Sequence, residues 1–227
     1  MVYINPQKLL NMKKIALIGA SGFVGSALLK ESLERGYLVT AIVRHPEKIT
    51  LEHPALEVKR GDVMSVKTVE KLVKGADVVI SAYNPGWTNP DIAADTTATY
   101  KSIVEGVKNA GVPRLLIVGG AGSLYVAPGK RVMDTGAIPE SFMPAIEALA
   151  GVLYTLQKDE NELDWVFFSP AGNIAPGERT GKFRLGKDNL IVGENGESKI
   201  SVEDYAVAML DEVDLPAHHR VRFTIGY

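Results

Sequence analysis

The chain contains no cysteine, which excludes disulfides, a thiolate nucleophile and cysteine-ligated metal sites. It also lacks a dominant charge. Twenty-five Lys and Arg against 27 Asp and Glu leave a net charge of −2, with none of the basic footprint that nucleic acid or an anionic membrane demands. No apolar run approaches the roughly 20 residues of a membrane span. Met1–Asn11 has neither the basic start nor the apolar centre of a secretory signal. These absences point to a cytoplasmic chain whose partners are small molecules. What is plentiful is apolar surface: 46% of 227 residues is enough for one domain with a substantial core. Met12-Lys-Lys-Ile is a natural beginning, so residues 1–11 are read as an N-terminal extension and 12–227 as a single domain.

The stretch from Lys14 to Gly25 sets the organisation. Ile15–Ile18 has the length and composition of a strand buried on both faces. Three glycines follow, Gly19, Gly22 and Gly25, and then a helical stripe of Val24, Ala27, Leu28, Leu29 and Leu33. Strand, glycine turn and helix in that order open a dinucleotide-binding unit. Gly19 permits a sharp turn, Gly22 leaves room for a pyrophosphate, and Gly25 allows close approach of helix and strand. Free N–H groups and the positive end of the helix dipole then face the anion.

Further apolar strands are expected at Leu38–Val43, Leu56–Lys59, Asp77–Ile80, Leu115–Val118, Leu163–Phe168 and Arg220–Ile225, alternating with helical patterns. Such alternation predicts an α/β fold: a Rossmann-type doubly wound parallel sheet with helices on both faces. A small C-terminal extension, Gly177–Lys199, reads as short strands or hairpins on the substrate side, within a loop region spanning 173–200. Val126–Glu140 reads as a long irregular loop, a second substrate-side segment. The C-terminal helix is opened by Ser201 and Asp204, which resemble a capping box.

Ligands gather at the carboxyl ends of strands in such sheets. Arg44 follows the second strand where an acid commonly meets the ribose 2′-hydroxyl; a guanidinium there suits a 2′-phosphate instead, so NADP(H) is expected, with NAD(H) the alternative. His45 and Lys48 are read as solvated. Asp62, just past the third strand, is a candidate cap for the helix Val66–Val73. Ser123 and Tyr125 carry the only hydroxyls close behind the fifth strand and are the catalytic candidates. Trp87 and Trp165 are read as packing residues, His218-His219 as exposed surface, and Asp211, Glu212 and Asp214 as a solvated helix face.

A literal Tyr-x-x-x-Lys, Tyr154 to Lys158, lies five residues before the sixth strand. That puts it at the wrong end of its helix for chemistry at the carboxyl edge. The N-terminal turns of that helix, Ser141-Phe-Met-Pro-Ala-Ile-Glu-Ala-Leu-Ala150, hold neither Tyr nor Lys. Alcohol oxidation and epimerisation need such a dyad, whereas hydride transfer to a flavin mainly needs positioning.

Gly19-Ala-Ser-Gly-Phe-Val-Gly25, Gly119-Gly-Ala-Gly-Ser-Leu124, Asp164-Trp165, Ser169-Pro-Ala171, Pro176-Gly-Glu-Arg-Thr-Gly181, Ser201-Val-Glu-Asp-Tyr-Ala206 and Arg222-Phe-Thr-Ile-Gly-Tyr227 occur in this order. Together they resemble an atypical group of short-chain dehydrogenase/reductases, the NAD(P)H-flavin reductases, which are related to biliverdin/flavin reductases and NmrA-like proteins. The resemblance implies that Gly19, Ala20, Ser21, Gly22, Phe23 and Val24 hold the pyrophosphate and Arg44 the 2′-phosphate. It implies that Asp62 and Val63 flank adenine, and Ala82 and Tyr83 the ribose. Gly119, Gly120 and Ser123 would line the nicotinamide, with Pro170 and Ala171 closing it. Reduction of a flavin or similar planar acceptor is the activity implied. A sugar-nucleotide epimerase or dehydratase and a non-catalytic cofactor sensor are the alternatives.

Overall fold

The computed structural model describes residues 12–227, so the reading of residues 1–11 as an extension lies outside the described residues. The first half alternates strand and helix: β1 (Lys14–Ile18), α1 (Phe23–Glu34), β2 (Leu38–Val43), β3 (Leu56–Arg60), α2 (Val66–Val73), β4 (Val78–Ser81), α3 (Ile92–Asn109) and β5 (Arg114–Val118). After β5 come β6 (Tyr125–Ala127), β7 (Lys130–Arg131), α4 (Met143–Asp159), β8 (Asp164–Ser169) and β9 (Asn173–Ala175). The chain then runs through β10 (Arg184–Gly186), β11 (Lys199–Ser201), α5 (Val202–Asp214) and β12 (Val221–Gly226).

Eight of these strands form one sheet in the order β10-β12-β8-β5-β4-β1-β2-β3, parallel throughout except where β10 runs antiparallel to β12. Successive side chains alternate between faces. Ile15 and Leu17 pack with Leu28, Leu29, Tyr205 and Met209 from α1 and α5. Ala16 and Ile18 pack on the other face with Val69, Tyr100, Ile103 and Leu153 from α2, α3 and α4. Both faces being covered is why these strands read as continuous apolar runs. The winding direction reverses between β1 and β4, which opens the crevice above their carboxyl ends where open α/β sheets bind ligands.

Two expectations are corrected beyond β5. Val126–Glu140 is not irregular: β6 and β7 form a small antiparallel hairpin, followed by 3-10 turns at Val132–Thr135 and Glu140–Phe142. The 173–200 region holds short strands, one of the two forms expected, but they do not pair with one another as hairpins. β11 joins β9 in a separate two-stranded parallel sheet, and β10 extends the main sheet. Ser201 caps α5 as expected, accepting from the Asp204 amide at 3.0 Å. The Asp204 carboxylate turns away instead and takes the Thr180 hydroxyl and the Gly181 amide.

Candidate cofactor site

The turn after β1 is built by sterics. Gly19 has φ +79°, and a Cβ there would lie 2.6 Å from the Ala82 carbonyl oxygen, so this position is closed to other residues by both backbone and neighbour. A Cβ on Gly25 would overlap the Gly19 carbonyl, so the first turn of α1 sits hard against the strand end. Gly22 is the N-cap of α1 and supplies no side chain, and no acid occupies the first turn. Ser21, Gly22 and Phe23 are exposed. The Gly22 amide donates to the Gly19 carbonyl at 3.0 Å, and the amides of the first turn of α1 after it have no intrahelical partner.

The other candidate positions follow along the same edge. From β3 to β8 they are Asp62 and Val63, Arg44, the Gly19–Val24 turn, Ala82 and Tyr83, Gly119 and Gly120, then Pro170 and Ala171. From β2 to β5 is three inter-strand steps, about 14 Å. The Gly119 amide donates to the Phe168 carbonyl at 2.8 Å, tying the ends of β5 and β8 together. Arg44 is exposed and pairs with no carboxylate among the described residues; its Nη2 reaches only the Pro85 carbonyl, at 3.5 Å. Asp62 accepts from the Met64 amide at 3.1 Å, while Ser65 is the residue that caps α2. The Tyr83 hydroxyl accepts from Thr99 at 3.1 Å, and burial pushes its pKa up, so the phenol stays protonated.

Ser123 is buried beneath this edge. Its Oγ and carbonyl both accept from Arg222 Nη1 at 2.9 Å, and Arg222 Nε and Nη2 donate to Asp188 at 2.9 and 2.6 Å. Arg222 opens one of the motifs quoted from the sequence but was given no role there, although an arginine between Val221 and Phe223 in an apolar closing strand is a signal. Tyr125 is half-buried; its amide donates to the Asp188 carbonyl and its carbonyl accepts from the Leu190 amide. The post-β5 segment and the 188–190 segment are thus one unit.

Tyr154 and Lys158 belong elsewhere. Leu149 and Ile146 of α4 pack on Gly120 and Gly122. Tyr154 lies five residues past Leu149, about 7.5 Å toward the amino edge, and Lys158 lies about 6 Å beyond that. The Tyr154 hydroxyl accepts from Arg131 at 3.1 Å, and Lys158 is exposed. Trp165 packs in the core as expected, but Trp87 is 60% exposed and stands edge to face with Phe142.

The 176–182 segment is fastened at several points. The Gly177 amide donates to Glu203, Ser201 Oγ donates to the Glu178 carbonyl, and Arg179 forms a bidentate pair with Glu31 of α1, both bonds at 2.8 Å. Glu31 also takes Arg35, whose Nη1 reaches Asp211 and Asp214. Glu212 is no solvated residue: it is buried and accepts from Arg114 at 2.6 Å and from the Ala217 and His218 amides. Of the adjacent histidines only His219 is exposed; His218 is half-buried and stacked on Phe223, and the fold brings a carboxylate to each, Glu212 to His218 and Asp164 to His219.

Comparison with known proteins agrees with this architecture. The chain is 40% identical to the uncharacterised protein YwnB of Bacillus subtilis over 217 residues, 93% of this chain and 97% of that one. A solved Bacteroides thetaiotaomicron structure, described as a candidate epimerase, is 57% identical with a TM-score of 0.90, covering 96% of this chain and 98% of its own. A Streptococcus pneumoniae structure described as a candidate NADH-flavin reductase is 34% identical with a TM-score of 0.82, covering 94% and 99%. A family profile described as NAD(P)H-binding matches residues 19–213. With its glycine turn, its strand order and most of its length within that match, the chain belongs to the NAD(P)H-binding family of Rossmann-type oxidoreductases.

Proposed function

We propose that the protein uses NADPH to reduce a flavin or a similar planar acceptor. The observation that carries this is the wall beside Gly119 and Gly120. It is made of glycine, buried apolar side chains, the Arg222-bonded Ser123 and the Pro170-Ala171 segment, and the Tyr154–Lys158 pair lies far down α4. Such a wall positions two flat rings but cannot deprotonate an alcohol. When bound, NADPH would supply the hydride, and the acceptor would take that hydride and one proton to leave as reduced flavin, with NADP+ as the other product.

The glycine turn binds the pyrophosphate through main-chain amides, and Arg44 selects the 2′-phosphate with its unpaired guanidinium. Asp62 and Val63 border adenine, and Ala82 and Tyr83 the ribose. Arg222 holds Ser123 as a hydrogen-bond acceptor, so the serine proton points elsewhere; Ser123 and Tyr125 are the hydroxyls available to supplement solvent as proton source. An epimerase reading, which the Bacteroides relative's description raises, needs a Tyr and a Lys at this wall. The chain's freedom from cysteine suits a reducing cytoplasm, where we place it.

The test is to follow NADPH oxidation on adding FMN or riboflavin. Turnover is expected. NADPH binding with no turnover of any flavin would leave a cofactor sensor of the NmrA-like kind and end the reductase reading.

A further inference from the structure

Trp87 and Phe142 are 60% and 41% exposed, yet their rings meet with centroids 5.4 Å apart and planes at 88°. Trp87 stands on the segment leaving β4 just after Tyr83, and Phe142 immediately precedes α4. The helix fixes their height. Ile146 packs on Gly122, and Phe142 lies one turn before Ile146, about 6 Å farther out from the sheet. Phe142, and Trp87 in contact with it, therefore stand beyond the Gly119–Gly122 turn, past the carboxyl edge of the sheet. In an edge-to-face contact the two rings cover little of each other's faces, and the exposure of both residues leaves aromatic surface open to solvent. Two neighbouring aromatics left in water at the mouth of a ligand crevice mark a surface that something covers.

We propose that Trp87 and Phe142 are the stacking platform for the acceptor, and that the acceptor's recognition element is a fused, planar ring system. This rests on the reductase reading above. A flat conjugated ring matches an exposed indole face, and a platform at the start of α4, one turn beyond the residue that packs on Gly122, is on the side of the wall where hydride transfer is proposed. The rival occupant is a second copy of the chain, because a groove lined by Ala94, Ala98, Pro144 and Ala148 together with Lys101 and Glu147 runs between α3 and α4, starting two residues past Phe142.

The probe is riboflavin, titrated into NADP+-saturated protein by flavin fluorescence quenching and anisotropy, and then used as acceptor under NADPH turnover. Trp165, buried in β8, remains as a reporter of folding in every variant. Trp87→Ala and Phe142→Ala are expected to weaken riboflavin binding and raise its KM about tenfold, the scale of one lost ring stack. The KM for NADPH should stay unchanged, and Trp87→Phe should recover most of the affinity. Riboflavin affinity within twofold of wild type in both alanine variants overturns the platform. So does conversion of a dimer to monomer in sedimentation with riboflavin affinity unchanged, which assigns the pair to a contact between copies. If wild type binds riboflavin through Trp87 without turning it over, the platform stands and the reductase reading falls. If wild type binds no riboflavin, the platform falls.

Discussion

Removing the Arg44 guanidinium should change which nicotinamide cofactor the protein prefers. Arg44 stands at the carboxyl end of β2, exposed, with no carboxylate partner among the described residues and only a long contact to the Pro85 carbonyl. A charge-assisted hydrogen bond contributes about 1.5–3 kcal/mol. Because Arg44 is open to water, screening places its contribution at the lower end, about 1.5 kcal/mol, which corresponds to roughly tenfold in affinity. Arg44→Ala should therefore weaken NADPH about tenfold and leave NADH unchanged. The assay is equilibrium titration of both cofactors at one ionic strength, read by nicotinamide fluorescence. Raising the salt should narrow the wild-type preference, since the pair is exposed. Equal weakening of both cofactors, or none, would refute the assignment. So would a wild type that prefers NADH, the cofactor in the pneumococcal relative's description.

Other positions give independent checks. Tyr154→Phe and Lys158→Ala should leave flavin reduction within about twofold; a loss of a hundredfold or more, the scale of a missing acid/base group, would restore dyad chemistry. Glu212→Ala removes the buried carboxylate that faces Arg114, and urea unfolding should show a loss of about 3–5 kcal/mol; a loss under about 1 kcal/mol would mean that Asp164 alone satisfies the arginine. Hydrogen bonding from Arg179, opposed by burial and helped by Arg35, holds the Glu31 carboxyl below its usual pKa. A depressed carboxylate pKa contributes stability that is complete above the unfolded value of about 4.3 and fades as pH falls through the lower folded value. Melting temperature should thus drop on acidification below about pH 5, less steeply in Glu31→Gln, and an unaltered slope would exclude Glu31.

The sheet was legible because strands covered on both faces carry their burial in composition alone: Val39, Ile42, Ile80 and Leu116 need no partner to be recognised as core. The glycine turn was legible for a similar reason, since Gly19 and Gly25 each answer a local steric demand. What escaped depends on distance in sequence. The three residues of β11 have no period to read and acquire a direction only by pairing with β9. Glu212 sits among acids on a helix and looks solvated until Arg114 and the His218 turn fold over it. Arg222 becomes intelligible only with Asp188 and Ser123 in view. Trp87 misled because its bulk argues for burial, while its loop carries it to the rim.

The fastening of the 176–182 segment has a consequence for redesign. A protein engineer seeking a new acceptor would look first to that substrate-side stretch and transplant it from a relative. Its Arg179 is bolted through Glu31 to the very helix whose opposite end carries the glycine turn proposed to hold the nucleotide. A graft that omits this arginine alters the seating of that helix as well, so selectivity and cofactor affinity would move together unless Glu31 is exchanged in the same step.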